Sequence, residues 1–157
     1  MNKHQQKLRL SLHTIFALIA LVIIADFVLP GRVINDGIIN VKKDRQQYYN
    51  AARNQHYSYK VITNQHQFSV TKNFAKLAEG HEKIEYSVSR IFEEVNWYRF
   101  FPSEKRAFYS LRIISGIVLP LLVIISILVA YRYKKNIDIL LFALKVLLIA
   151  DLIFLMI

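Results

Sequence analysis

The 157-residue sequence has no cysteine, only four glycines and three prolines, and a single tryptophan. Without cysteine there can be no disulfide, thiolate metal site or thiol nucleophile. The scarcity of glycine goes with the lack of a P-loop, a G-x-G-x-x-G fingerprint or a G-x-S-x-G elbow, so the common phosphate-cradling and hydrolase signatures are missing. No His-x-x-x-His or comparable ligand spacing occurs. His56 and His66, on opposite faces of a candidate hairpin, are not expected to converge on one ion, so neither a metal nor a cofactor is expected. None of the nine asparagines opens an N-x-S/T sequon, which is compatible with a bacterial inner membrane.

What is present is apolar mass and positive charge, separated along the chain. Hydrophobic residues make up 54% of the sequence and charged residues 20%, too greasy for an average soluble domain and too charged for a bare helical bundle. Three apolar stretches, Leu10 to Pro30, Ile113 to Tyr131 and Ile137 to Ile157, each approach the roughly 20 residues a helix needs to cross about 30 Å of hydrocarbon. The first outruns the roughly 7–15 apolar residues of a signal peptide, and Ala17 and Ala20 make a poor cleavage site, so a retained anchor is expected. The domain plan is an N-terminal flank (1–9), a first span (10–30), a β domain (31–95), an interfacial segment (96–110), a second span (111–131), a short turn (132–136) and a third span (137–157).

Basic residues set the expected orientation. Lys3, Lys7 and Arg9 precede the first span, and Arg132, Lys134 and Lys135 separate the second from the third, so both flanks are expected in the cytoplasm. Residues 31–110 then lie outside the cytoplasm, and the C-terminus ends at the outer face. The net charge of +10 is spread over two flanks and a domain that also holds eight acids. It forms no basic stripe, so attraction to anionic lipid is expected rather than binding to nucleic acid.

Within the domain, "YSYKVITNQHQFSVTK" alternates apolar and polar residues around Asn64 and Gln65. A hairpin with this turn, whether of two residues or four, opposes Val61 to Phe68 and Tyr59 to Val70, and puts Tyr57, Tyr59, Val61, Phe68 and Val70 on one buried face. "NFAKLAEG" reads as one or two helical turns with Asn73 as N-cap, Phe74, Leu77 and Ala78 facing the sheet and Gly80 at the C-terminal end. "KIEYSVS" is a further strand; "IINVKK" reads as a short strand, and "IFEEVNWY" as a candidate one. The expected whole is a small antiparallel meander or partial barrel inserted between transmembrane helices.

Two surfaces suggest contacts. Tyr48 and Tyr49, in the polar connection Arg45 to Gln55, form a candidate partner-binding loop, because tyrosine is rigid and amphipathic. Trp97, Tyr98, Phe100 and Phe101 with Arg99 and Arg106 have the composition of an interfacial anchor, rings at headgroup depth and cations toward phosphate.

Asp26, Lys145 and Asp151 fall inside apolar runs. Counting about 1.5 Å per residue, Asp26 and Asp151 lie about 22 and 21 Å along their helices and Lys145 about 12 Å along its own. The carboxyls share a layer and, if they met, would share a proton. Lys145 leans toward its helix N-terminus, toward Asp138. Three readings compete: a structural one, with Asp26 hydrated near the outer interface, Lys145 snorkelling and Asp151 hydrogen-bonded within the three-helix bundle; polar contacts for partner helices; and steps in ion or proton passage, which three helices rarely enclose alone. The expected function is a non-enzymatic accessory or assembly subunit of an inner-membrane complex, bound to lipid and to another integral membrane protein or to copies of itself. The alternatives are a subunit in ion or proton translocation and a ligand-sensing or binding protein acting through its exported domain.

Overall fold

The computed structural model describes residues 3–47, 55–78, 80–100, 105–133 and 137–156. The chain forms two compact units: Met1–Pro30 with Leu111–Ile157, and Gly31–Ser110.

The first unit is helical. Helix α1, Lys3–Val28, contains the apolar span Lys7–Val28. The second span, Ser110–Tyr133, is built from α3 (Ser110–Ile113), a π-helical turn (Ile114–Val118) and α4 (Leu119–Tyr133), and the third is α5, Asp138–Met156. Each is long and apolar enough to cross a bilayer. The side chains buried on α5, Leu141, Leu148 and Leu155, recur every seven residues, and Ala20 and Ile23 of α1 and Val123 of α4 are buried as well. That is the period of a left-handed helical seam. Most of the remaining apolar surface is exposed, as expected of helices whose solvent is hydrocarbon.

The second unit is a curled antiparallel half-barrel of five strands in the order β3-β2-β1-β4-β5, crossed by one short helix. Strand β1, Arg32–Gln47, is its spine. Its first half, Arg32 to Gly37, pairs with β4 (Lys83–Val88), and its second half, Ile38 to Gln47, pairs with β2 (Gln55–Thr63), with a bulge between Ile38 and Asn40 where the partner changes. The short strand expected at Ile38 to Lys43 is therefore the middle of a 16-residue strand. Its polar Asn35–Asp36–Gly37 stretch marks a handover between two ladders, and the bulge there bends the sheet.

The hairpin register is as expected: β2 pairs with β3 (Gln67–Val70) through Tyr59 with Val70 and Val61 with Phe68. Its connection is the four-residue one, Thr63 to His66, closed by Thr63 N–H donating to the His66 carbonyl. Tyr57 departs from the expected buried face. Pairing with β3 stops at Tyr59, so the Tyr57 ring is left exposed beneath the Lys43 ammonium, 4.2 Å from its centroid.

Helix α2, Lys72–Ala78, buries Phe74, Ala75 and Ala78 and leaves Leu77 exposed, rotated from the expected face. Its cap is Thr71 rather than Asn73: the Thr71 hydroxyl accepts from the Phe74 N–H at 3.4 Å. Strand β5, Val95–Phe100, completes the sheet beside β4, and Ala107 bridges back to Tyr98. The core is Val61, Phe68, Val70, Phe74, Ile84, Tyr86, Val88 and Tyr98, with Ala75 and Ala78.

Candidate functional site within the spanning helices

Asp26 enters its helix three residues before Leu29, and Arg112 enters the second span two residues after Ser110. The helices run in opposite directions, so both groups lie at one depth. The structure joins them: an Arg112 Nη donates to the Asp26 carboxylate at 3.2 Å, with both side chains almost fully buried. The guanidinium also lies 5.4 Å from the centroid of Phe27. Arg112 was not among the residues singled out from sequence. The signal was available as a lone cation at the edge of the second run, matched in depth to the acid ending the first.

The π turn that follows Arg112 explains how the helices approach so closely. A Cβ on Gly116 would lie 2.4 Å from the Phe27 ring, a separation side chains do not adopt, so only glycine fits against α1 here. Pro120 has no N–H for the Gly116 carbonyl. The backbone widens just before it into the π turn Ile114–Val118, in which the Leu119 N–H donates to the Ile114 carbonyl. Such turns concentrate at functional sites.

Asp26 is engaged by the Arg112 guanidinium, a contact not foreseen when an approach of Asp26 to Asp151 was weighed from sequence. Asp151 Oδ2 is buried with no hydrogen-bond partner among the described residues. Asp138 is likewise not the partner of Lys145. It pairs with Arg9 of α1, because the two helices begin on the same side of the unit. The half-buried Lys145 instead places its ammonium 5.3 Å from the centroid of Phe16.

The interfacial set divides by strand alternation. Tyr98 and Phe100 point to the core face: Tyr98 is buried and its hydroxyl accepts from the Thr71 N–H at 3.1 Å, while Phe100 stacks on Phe74 at 4.0 Å. Tyr98 is thus a core residue, and Phe100 packs, partly buried, against the core. Trp97 and Arg99 point the other way. Arg99 donates twice to Glu85, at 3.0 and 2.8 Å, and Trp97 carries Arg106 at 4.4 Å and Arg99 at 5.7 Å from its ring. Phe101, Tyr48 and Tyr49 lie outside the described residues.

One polar cluster in the half-barrel was not foreseen. At the bend of β1, the Asp36 carboxylate accepts from the Gly37 N–H at 2.8 Å, Asn64 Nδ2 at 2.7 Å, the Gln65 N–H at 3.1 Å and the Tyr86 hydroxyl at 3.4 Å. That hydroxyl lies 3.0 Å from His66 Nδ1 and 3.2 Å from the Thr63 hydroxyl. Burial pushes the Asp36 carboxyl up, but bonds from Asn64, Gly37, Thr63 and Gln65 outweigh it and hold the group below the usual carboxylate range. Burial raises Tyr86 above the ordinary phenol value. The cluster ties the hairpin turn to the bend. Among the described residues, no group of three or more His, Asp or Glu side chains is arranged to hold a metal ion.

The fold and the site together define a small multi-span membrane protein with an inserted β half-barrel and internally contacting intramembrane charges. Comparison with family models, curated proteins and solved structures returns no match for this chain.

Proposed function

We propose that this protein is a non-enzymatic accessory or assembly subunit of an inner-membrane complex, oriented with its N-terminus and the turn between the second and third spans in the cytoplasm, and with the half-barrel outside. Basic residues at both expected cytoplasmic flanks support the orientation. The observation that carries the reading is the incomplete satisfaction of polar groups at bilayer depth. Among the described residues, His13 Nδ1 and Asp151 Oδ2 are buried without a hydrogen-bond partner, and Lys145 has an aromatic ring but no carboxylate within salt-bridge distance. Polar groups in hydrocarbon are costly unless paired, and helices of another protein can supply partners. Asp26 is already engaged by the Arg112 guanidinium, which supports this reading over ion or proton translocation through that carboxylate.

Purification from native membranes in mild detergent tests it. A stoichiometric integral membrane protein should accompany the chain, and Asp151→Leu or Lys145→Leu should weaken the association. A solitary monomer, unchanged by either substitution, would refute the reading.

A further inference from the structure

Helices α1 and α5 each pack along the second span more extensively than along one another, and polar side chains from both meet where they adjoin. In the half of the unit where both helices begin, α1 contributes Arg9, His13 and Phe16, one heptad of a single stripe, and α5 contributes Asp138, Leu141 and Lys145. Arg9 and Asp138 form an ion pair at the end where both helices begin. Deeper in, the Lys145 ammonium lies over Phe16, and His13 Nδ1 is buried with no hydrogen-bond partner among the described residues. Two basic side chains and a histidine thus stand near one carboxylate, which is already paired with Arg9.

The occupant that this arrangement fits has a definite chemistry. Lipid phosphate is disfavoured by position, since the ammonium rests at the level of Phe16, about two helical turns deeper than Arg9, and has not extended to the interface. A second copy is disfavoured by symmetry. Copies inserted in the same direction set Lys145 against Lys145, while Asp138 and Asp151 stand about 10 Å to one side and 9 Å to the other along the axis. We propose that the face where α1 and α5 adjoin seats a transmembrane helix of a different protein, one bearing a glutamate or aspartate about 12 Å from the cytoplasmic surface, whose carboxylate accepts from Lys145. The proposal rests on the subunit reading and names the contact within it. Lys145 is the recognition residue, and His13 offers a second polar contact beside it.

The probe is a leucine-alanine transmembrane peptide of about 21 residues with a single glutamate at the depth of Lys145. Its association with the full-length protein is read by fluorescence transfer in phosphatidylcholine vesicles. The glutamate peptide should bind about tenfold tighter than its leucine counterpart. Lys145→Met should abolish that preference and Lys145→Arg should retain it, and moving the glutamate two turns outward should lose it. Equal binding of the two peptides, or a preference surviving Lys145→Met, overturns the proposal, as does its disappearance when phosphatidylglycerol is added, which would identify lipid as the occupant. Transfer between two labelled copies that depends on Lys145 would also overturn it. A native partner that stays bound to the Lys145→Met protein sinks this inference and leaves the subunit reading standing. A glutamate preference without any native partner does the reverse.

Discussion

Arg112 shows how much one side chain decides in this protein. Its guanidinium is 5% exposed and its partner carboxylate fully buried, so removing either member strands a charge where solvent cannot reach it. Arg112→Leu is expected to cost about 3–5 kcal/mol, and joint replacement with Asp26→Leu to recover much of that, because the desolvation penalty leaves with the pair. Thermal unfolding of the four proteins of this cycle in one detergent checks both expectations. The Asp36 cluster gives a second expectation, at the two ends of the pH scale. A carboxyl held below its unfolded value near 3.8 contributes stability above that pH and loses it as pH falls through the lower folded value. A phenol raised above 10.0 contributes stability below that pH and loses it as the unfolded chain ionises above it. Stability followed by near-UV circular dichroism should therefore plateau between these limits, with Asp36→Asn flattening the acid limb and Tyr86→Phe reducing the alkaline one. A residual alkaline limb is expected from the similarly raised Tyr98. Asp26, Lys145 and Asp151 were legible as candidates because a charge inside an apolar run is conspicuous. Which charge meets which was not, because depth along a helix is countable but rotation about it depends on the neighbour.

Among the elements, the second span carries the most local specificity. Gly116 permits the approach of Phe27, and Pro120 removes the next donor that a regular α-helix would use. Gly116→Ala should push α1 away and destabilise by about 1–3 kcal/mol, as overpacking does. Phe27→Ala in the same chain should relieve part of the loss, and a double-mutant cycle in detergent should show the coupling; additive losses would disconnect the two residues. The hairpin of β2 and β3 was readable to the residue because a one-residue slip would turn its apolar set outward. Strand β1 was under-read because its two halves answer to different partners, and no single alternation runs through Asn35, Asp36 and Gly37. The run from Trp97 to Phe100 misled in the other direction. Its aromatic and basic composition suited an interface, yet a strand sends alternate residues to opposite faces, and Tyr98 and Phe100 went to the core.

At the scale of the whole molecule, topology is the property most open to direct test, and the absence of cysteine makes the test clean. A single cysteine replacing the exposed Lys43 should react with an impermeant maleimide on intact spheroplasts, and one replacing Tyr131 only after permeabilisation. The opposite pattern would invert the orientation and move the proposed contact at Lys145 to the other half of the bilayer. The residue order alone determined that three segments cross lipid and that the intervening chain folds in water, because the length of an apolar run against the thickness of hydrocarbon is a property of the chain itself. It also determined the hairpin register, since a period of two admits one buried face. Only the tertiary structure decided that Arg112 belongs to Asp26, Arg9 to Asp138 and Lys145 to the ring of Phe16. Those pairings require helices distant in sequence to share a depth and a facing angle, and packing alone sets the angle.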